Sequence, residues 1–261
     1  MKLGLGLYRH ALTRDNFQFA RQAGATHLVI HLVDYFKSGA HNPRDNQPTG
    51  TDDGWGLAGD PDKLWTLEEL LAIRKAAEAE GLTVEAVENF DPAHWHDVLL
   101  DGPKKRQQLD NIRTLIRRLG GAGIPVMGYN FSLAGVCGRV SGPFARGGAV
   151  SVGMDGPIDT PMPQGMVWNM VYDPNAPKGT VPPVSHDELW RRLGSFLEEV
   201  LPVAEEAGVK LALHPDDPPM PTILSWCIGR DHLADRGPVT RDACTGVNTY
   251  VDGSPDVCQR R

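Results

Sequence analysis

Five apolar runs of strand length alternate with four amphipathic runs of helix length, and no other feature constrains the fold of this chain as tightly. The strand windows are KLGLGLY (2–8), THLVIHL (26–32), LTVEAVENF (82–90), IPVMGYNF (124–131) and VKLALHP (209–215). Between them lie TRDNFQFARQAG (13–24), TLEELLAIRKAAEAEG (66–81), KRQQLDNIRTLIRRLGG (105–121) and SHDELWRRLGSFLEEVLPVAEEAG (185–208). Leu109, Ile112, Leu115, Ile116 and Leu119 share one helical face, as do Leu189, Leu193, Phe196, Leu197 and Val200. Thr66 with Glu69, and Ser185 with Glu188, have the spacing of capping boxes. Gly24 and Gly81 stand where a helix hands over to a left-handed residue.

Strands joined through single helices lie parallel in one sheet. The order predicts an α/β fold of the TIM (β/α)8-barrel type, with about five βα units recognisable and the last strands absent. A doubly wound nucleotide-binding sheet is disfavoured. Gly4 and Gly6 fall inside the first strand, and no third glycine opens the helix that follows. Helix-to-strand turns are very short, whereas strand-to-helix loops cover about residues 33–65, 90–104 and 131–184. In parallel α/β folds the loops at strand C-termini carry the site. Trp55, Trp65, Trp95, Phe144, Trp168 and Tyr172 in those loops predict packed loops rather than disordered insertions.

The pattern stops soon after the fifth strand. Residues 1–222 read as a partial barrel domain, and residues 223–261 as an unpatterned tail, frameshifted or disordered. No segment of that tail has the period of a strand or helix. The expectation is therefore an open edge beside the fifth strand and self-association of the chain.

Polar residues crowd the C-terminal ends of the strand windows. Arg9 follows the first, His31 the second, Glu88 the third and Asn130 the fourth, with Arg139 beyond it. His214 ends the fifth, within His214-Pro215-Asp216-Asp217-Pro218-Pro219. An arginine suits a carboxylate by paired hydrogen bonds. Glutamate and asparagine suit hydroxyls, and a neutral imidazole binds divalent metals. A purely structural alternative pairs Glu88 with Arg9 across the rim. Taken together, Arg9, His31, Glu88, Asn130 and Arg139 describe a pocket for a small, oxygen-rich anion.

The net charge of −7 and the lack of a long basic run argue against nucleic acid or an anionic membrane as partner. No run of about 18 apolar residues predicts a transmembrane helix, and the N-terminus lacks a signal-peptide pattern. A cytoplasmic protein is expected. Cys137, Cys227, Cys244 and Cys258 fit neither a zinc motif nor a disulfide framework.

RQAGATHLVIHL, AVENFDPAHWHDVLLDGP, GIPVMGYNFSLAGV and ALHPDDPPMP resemble the D-mannonate dehydratase family over about residues 3–222. The last segment is the most specific. The resemblance implies a metal-dependent TIM-barrel lyase using Mn2+, or Fe2+, that dehydrates the sugar acid D-mannonate to 2-keto-3-deoxy-D-gluconate in glucuronate breakdown. It implies that His214 ligates the metal and that Arg9, Glu88 and Asn130 are pocket residues. The family's remaining ligands, a Cys, a His and an Asp, belong to later strands. Here the chain departs from the pattern, because Cys227, His232 and Cys244 lack a strand context. A sugar isomerase or epimerase on a related barrel, and a non-catalytic barrel fragment, are the alternatives.

Overall fold

The computed structural model describes residues 2–35, 56–133, 139–154, 162–168, 170–214 and 249–251. The elements follow in chain order: β1 (Gly4–Tyr8), α1 (Arg14–Gln22), β2 (His27–His31), β3 (Gly56–Leu57), α2 (Leu67–Ala79), β4 (Thr83–Glu88), α3 (His96–Leu100) and α4 (Lys105–Gly121). Next come β5 (Val126–Tyr129), β6 (Arg139–Gly142), β7 (Ser151–Met154), β8 (Met166–Val167), β9 (Met170–Val171), α5 (His186–Ala207), β10 (Lys210–Leu213) and β11 (Thr249–Val251). The main sheet has the order β1-β2-β4-β5-β10-β11. Its first five strands pair in parallel, as single-helix connections require.

Helix starts follow the sequence signals with one difference. Thr66 Oγ1 accepts the Glu69 amide at 3.1 Å, and Ser185 Oγ accepts the Glu188 amide at 3.2 Å. The reciprocal halves of the two boxes are given up to arginines. Glu69 pairs with Arg9, and Glu188 pairs with Arg191 and Arg192. At the other end of α5, Gly208 takes φ 67°, a left-handed turn that costs a glycine nothing.

Side chains alternate across the strands. Leu28, Ile30, Val87, Met127 and Leu211 face the helices, joining Phe17, Leu70, Ile112 and Phe196 in the main core. The opposite face carries a second, small apolar cluster of Ala86, Val126 and Ala212 with Val29 against it. The five-residue stripe expected on α5 is buried throughout.

The long loops pack, as their aromatics predict. Trp65, Trp95 and Trp168 are buried, and Tyr172 is half-buried. Phe144 is the exception at 58% exposed, and Trp55 lies outside the described residues. The loops also hold elements with no readable period. β3, β9 and β8 form a small sheet of two-residue strands, and β6 and β7 an antiparallel pair. A two-residue strand is too short to show alternation.

In the tail the described residues differ from expectation. Thr249–Val251 forms β11, antiparallel to β10, with Leu211 opposite Val251 and Leu213 opposite Thr249. The edge expected to stand open beside the fifth strand is therefore covered along three residues. Thr, Tyr and Val are strong strand formers, but three residues carry no legible pattern.

Two loop histidines bear on stability. His94 and His96 are 2% and 5% exposed. His96 Nδ1 lies 2.8 Å from the Pro92 carbonyl, and its ring stacks on Tyr172 at 3.9 Å. Burial pulls both imidazoles below their ordinary range, against the opposing pull of nearby carboxylates and carbonyls. In the folded protein they stay neutral where the unfolded chain would already be protonated. Stability is therefore complete above about pH 6.5 and falls as the pH drops from there toward the folded-state values, by at most about 1.4 kcal/mol per pH unit for each ring. Urea midpoints should be lower at pH 5.5 than at pH 7.5. Equal midpoints, with Asp and Glu titration still remote, would show that neither ring is held neutral.

Candidate functional site

The strand register builds a row of side chains along the C-terminal edge of the sheet. Tyr8 stands opposite His31, Glu88 opposite Gly128, and Gly128 opposite Ala212. Val29 pairs with Ala86, and Ala86 with Val126, so the small apolar cluster forms a floor on this same face. Two residues beyond Gly128 comes Asn130, and two beyond Ala212 comes His214. The His214 amide donates to the Tyr129 carbonyl at 2.7 Å, which carries the ladder one step past β10.

Within the row, His31 Nε2 lies 3.7 Å from Glu88 Oε2, and the Tyr8 ring sits 4.9 Å from the His31 ring. Gly128 makes room, since a Cβ there would lie 3.3 Å from Glu88 Cγ, whereas one on Gly6 would sit at an ordinary contact, 3.6 Å from His31 Nε2. Burial lowers the His31 pKa, Glu88 works against that, and the charge of nearby His214 adds to it. Tyr35 closes the row from above, with its ring 5.9 Å from Tyr8 and 5.4 Å from Trp168. Asn89 Nδ2 donates to the Tyr35 hydroxyl at 3.0 Å. Burial raises the Tyr35 phenol well above its usual value, so it stays neutral.

Buried polar atoms without a partner mark where a ligand would be welcome. Among the described residues, His31 Nδ1, Asn89 Oδ1 and Asn130 Oδ1 are in this state, at the ends of β2, β4 and β5. Amide oxygens accept only, so they suit the hydroxyl donors of a polyol. Ordered water would satisfy them equally in the absence of such a molecule.

Four of the residues expected from the sequence thus meet at one edge: His31, Glu88, Asn130 and His214. Arg9 turns away. Its guanidinium donates to the Leu32 carbonyl at 3.1 Å and pairs with Glu69. It lines a separate cavity of about 710 Å³ with Asp34, Trp65, Asp91, His94 and Arg118. Pairing of Glu88 with Arg9 across the rim is not what forms, because Glu69 at the start of α2 and His31 on β2 are the nearer partners. Arg139 begins β6, in the hairpin rather than the main sheet, and its side chain lies outside the described residues. So do Pro215–Pro219, His232 and all four cysteines. Asn89, directly after Glu88, and Tyr35, four residues after His31, are further polar residues legible at the strand ends, though the sequence gives neither a role. An asparagine directly after a strand stands where that residue tolerates left-handed geometry.

A divalent ion finds an incomplete set of donors in this part of the chain. His214 offers an exposed imidazole one step past β10, but among the described residues no three His, Cys, Asp or Glu side chains gather closely enough to hold a metal. Also among the described residues, no helix is long and apolar enough to cross a membrane.

A family model described as D-mannonate dehydratase (UxuA) matches residues 16–138 and 180–230. A mannonate dehydratase of Streptococcus suis is 34% identical over 170 residues, covering 60% of this chain and 45% of the relative. Mannonate dehydratase 2 of Halalkalibacterium halodurans is 30% identical over 171 residues, covering 60% and 48%. The chain spans about half the length of the curated relatives it matches. The crystal structure of mannonate dehydratase from Streptococcus suis serotype 2 superposes with a TM-score of 0.56 at 24% identity, over 89% of this chain and 59% of that one. That likeness is one of fold.

Proposed function

This chain belongs to the D-mannonate dehydratase family, and from that premise we propose that it acts as a metal-dependent hydro-lyase converting D-mannonate to 2-keto-3-deoxy-D-gluconate in hexuronate breakdown. The observation that supports this reading is the row of Tyr8, His31, Glu88 and His214, bordered by unpartnered amide oxygens. A sugar acid presents hydroxyl donors to those oxygens and a carboxylate to a cation.

In architecture we read residues 1–222 as five strands' worth of a (β/α)8 barrel and residues 223–261 as a tail. The metal would be Mn2+, or Fe2+, held by His214 with its remaining ligands outside the described residues. When bound, such an ion supplies Lewis-acid stabilisation for charge that develops on the substrate carboxylate. The chain's own residues do the rest. Asn130 orients hydroxyls, and Tyr8 with Tyr35 walls off one side of the edge. The His31–Glu88 pair is the group in the row that would take the proton from the carbon next to the carboxylate. Overall one C–H and one C–O bond break, water departs, and the resulting enol takes a proton on carbon to become the keto acid. We place the enzyme in the cytoplasm, with a small sugar acid as its partner, no role for nucleic acid or membrane, and a homo-oligomeric assembly.

The test is turnover. Purified chain supplied with MnCl2 and D-mannonate should yield a 2-keto-3-deoxy acid, and it should not interconvert ketoses. Ketose interconversion, or no product at any metal concentration, would overturn the reading.

A further inference from the structure

Only three non-glycine residues have positive φ among those described, and two of them flank Tyr35. Asn89 has φ 65° and Trp168 has φ 50°. For a residue as bulky as tryptophan this is an outlier, and such strain persists only where the surroundings dictate it, often at functional sites. The surroundings here are specific. Trp168 packs its ring on Tyr35, and its amide donates to the Leu133 carbonyl at 2.6 Å. Asn89 is 5% exposed, its amide donates to the Gly128 carbonyl at 2.9 Å, and its Nδ2 donates to the Tyr35 hydroxyl.

Asn89 is also the residue immediately after Glu88. Its left-handed turn ends β4, so Glu88 is the last strand residue and its carboxylate stays on the face of the row. Gly128 leaves just enough space beneath the Glu88 side chain, since a Cβ there would come within 3.3 Å of Cγ. Nothing else holds the turn from above except the Tyr35 hydroxyl among the bonds seen at Asn89.

We infer that Tyr35 and Asn89 form a positioning clasp that holds the Glu88 carboxylate beside His31 at the substrate edge. Neither residue does chemistry. They act through Glu88, whose place in the row depends on where β4 turns. The inference rests on the proposal that this edge is the substrate site.

Tyr35→Phe removes the acceptor and keeps the ring. Asn89→Gly removes the donor and keeps the left-handed backbone. In the full chain loaded with Mn2+, each is expected to lower kcat for D-mannonate by roughly ten- to a hundredfold, the scale of a misplaced group, with KM moved less than about threefold. The double variant should be no worse than the poorer single one, because the two residues act as a unit. Crystal structures of the parent chain and the Tyr35→Phe variant supply a readout free of turnover: the Glu88 carboxylate should leave His31 in the variant. Unchanged kcat, additive losses, or a carboxylate that stays in place would each overturn the clasp. A parent chain without turnover would sink the functional proposal instead, and the two carboxylate positions would still decide the clasp.

Discussion

His214→Ala is expected to weaken Mn2+ binding by at least about a hundredfold, the upper end of what loss of a supporting residue costs a metal site, and to bring D-mannonate dehydration to background. The imidazole stands one step past β10, on the face that carries His31 and Glu88, and its own amide is tied to the Tyr129 carbonyl. That bond uses backbone only, so alanine keeps it. The side chain is exposed, and exposed substitutions away from special features shift stability by only about 0.5 kcal/mol. Loss of metal with an unchanged melting temperature is therefore the expected pair of results, read by metal analysis after gel filtration and by calorimetry. Undiminished Mn2+ uptake together with undiminished turnover would remove His214 from the site and leave the metal without its one described ligand.

Phe196→Ala should destabilise the protein by about 3–5 kcal/mol, the usual cost of emptying a buried aromatic site. Phe196 is fully buried on α5, with ring centroids 5.5 Å from Tyr129, 5.6 Å from Phe131 and 6.1 Å from Trp95. Tyr129 and Phe131 flank Asn130, so this cluster anchors the end of β5 from the helix side while the row occupies the other face. Domains hold only about 5–15 kcal/mol in total, so the loss is a large share of the whole. The urea midpoint should fall accordingly. A change below about 1 kcal/mol would mean that the neighbouring rings close over the gap, contrary to the close packing expected of such a core.

What could be read directly from the chain is whatever repeats with a period or sits at a fixed offset. The stripes of α4 and α5, the five parallel strands and the caps at Thr66 and Ser185 are of this kind, because local geometry alone sets them. The same reading placed His31, Glu88, Asn130 and His214 at strand ends, and strand ends of a parallel sheet share one edge. Their family was also legible, from motifs at that edge.

Choices between partners were settled elsewhere. Arg9 had Glu88 in prospect, but in the fold it pairs with Glu69 at the start of α2, and Glu88 faces His31. Asn89 stands where an asparagine tolerates a left-handed turn, but nothing in its neighbours says that it turns under a tyrosine 54 residues away. β11 pairs with β10 through a triplet too short to announce itself. Periodicity is a property of adjacent residues, so sequence alone determined the periodic strands and helices and their order. Which side chains meet depends on distances between elements, and only the packed structure decided those.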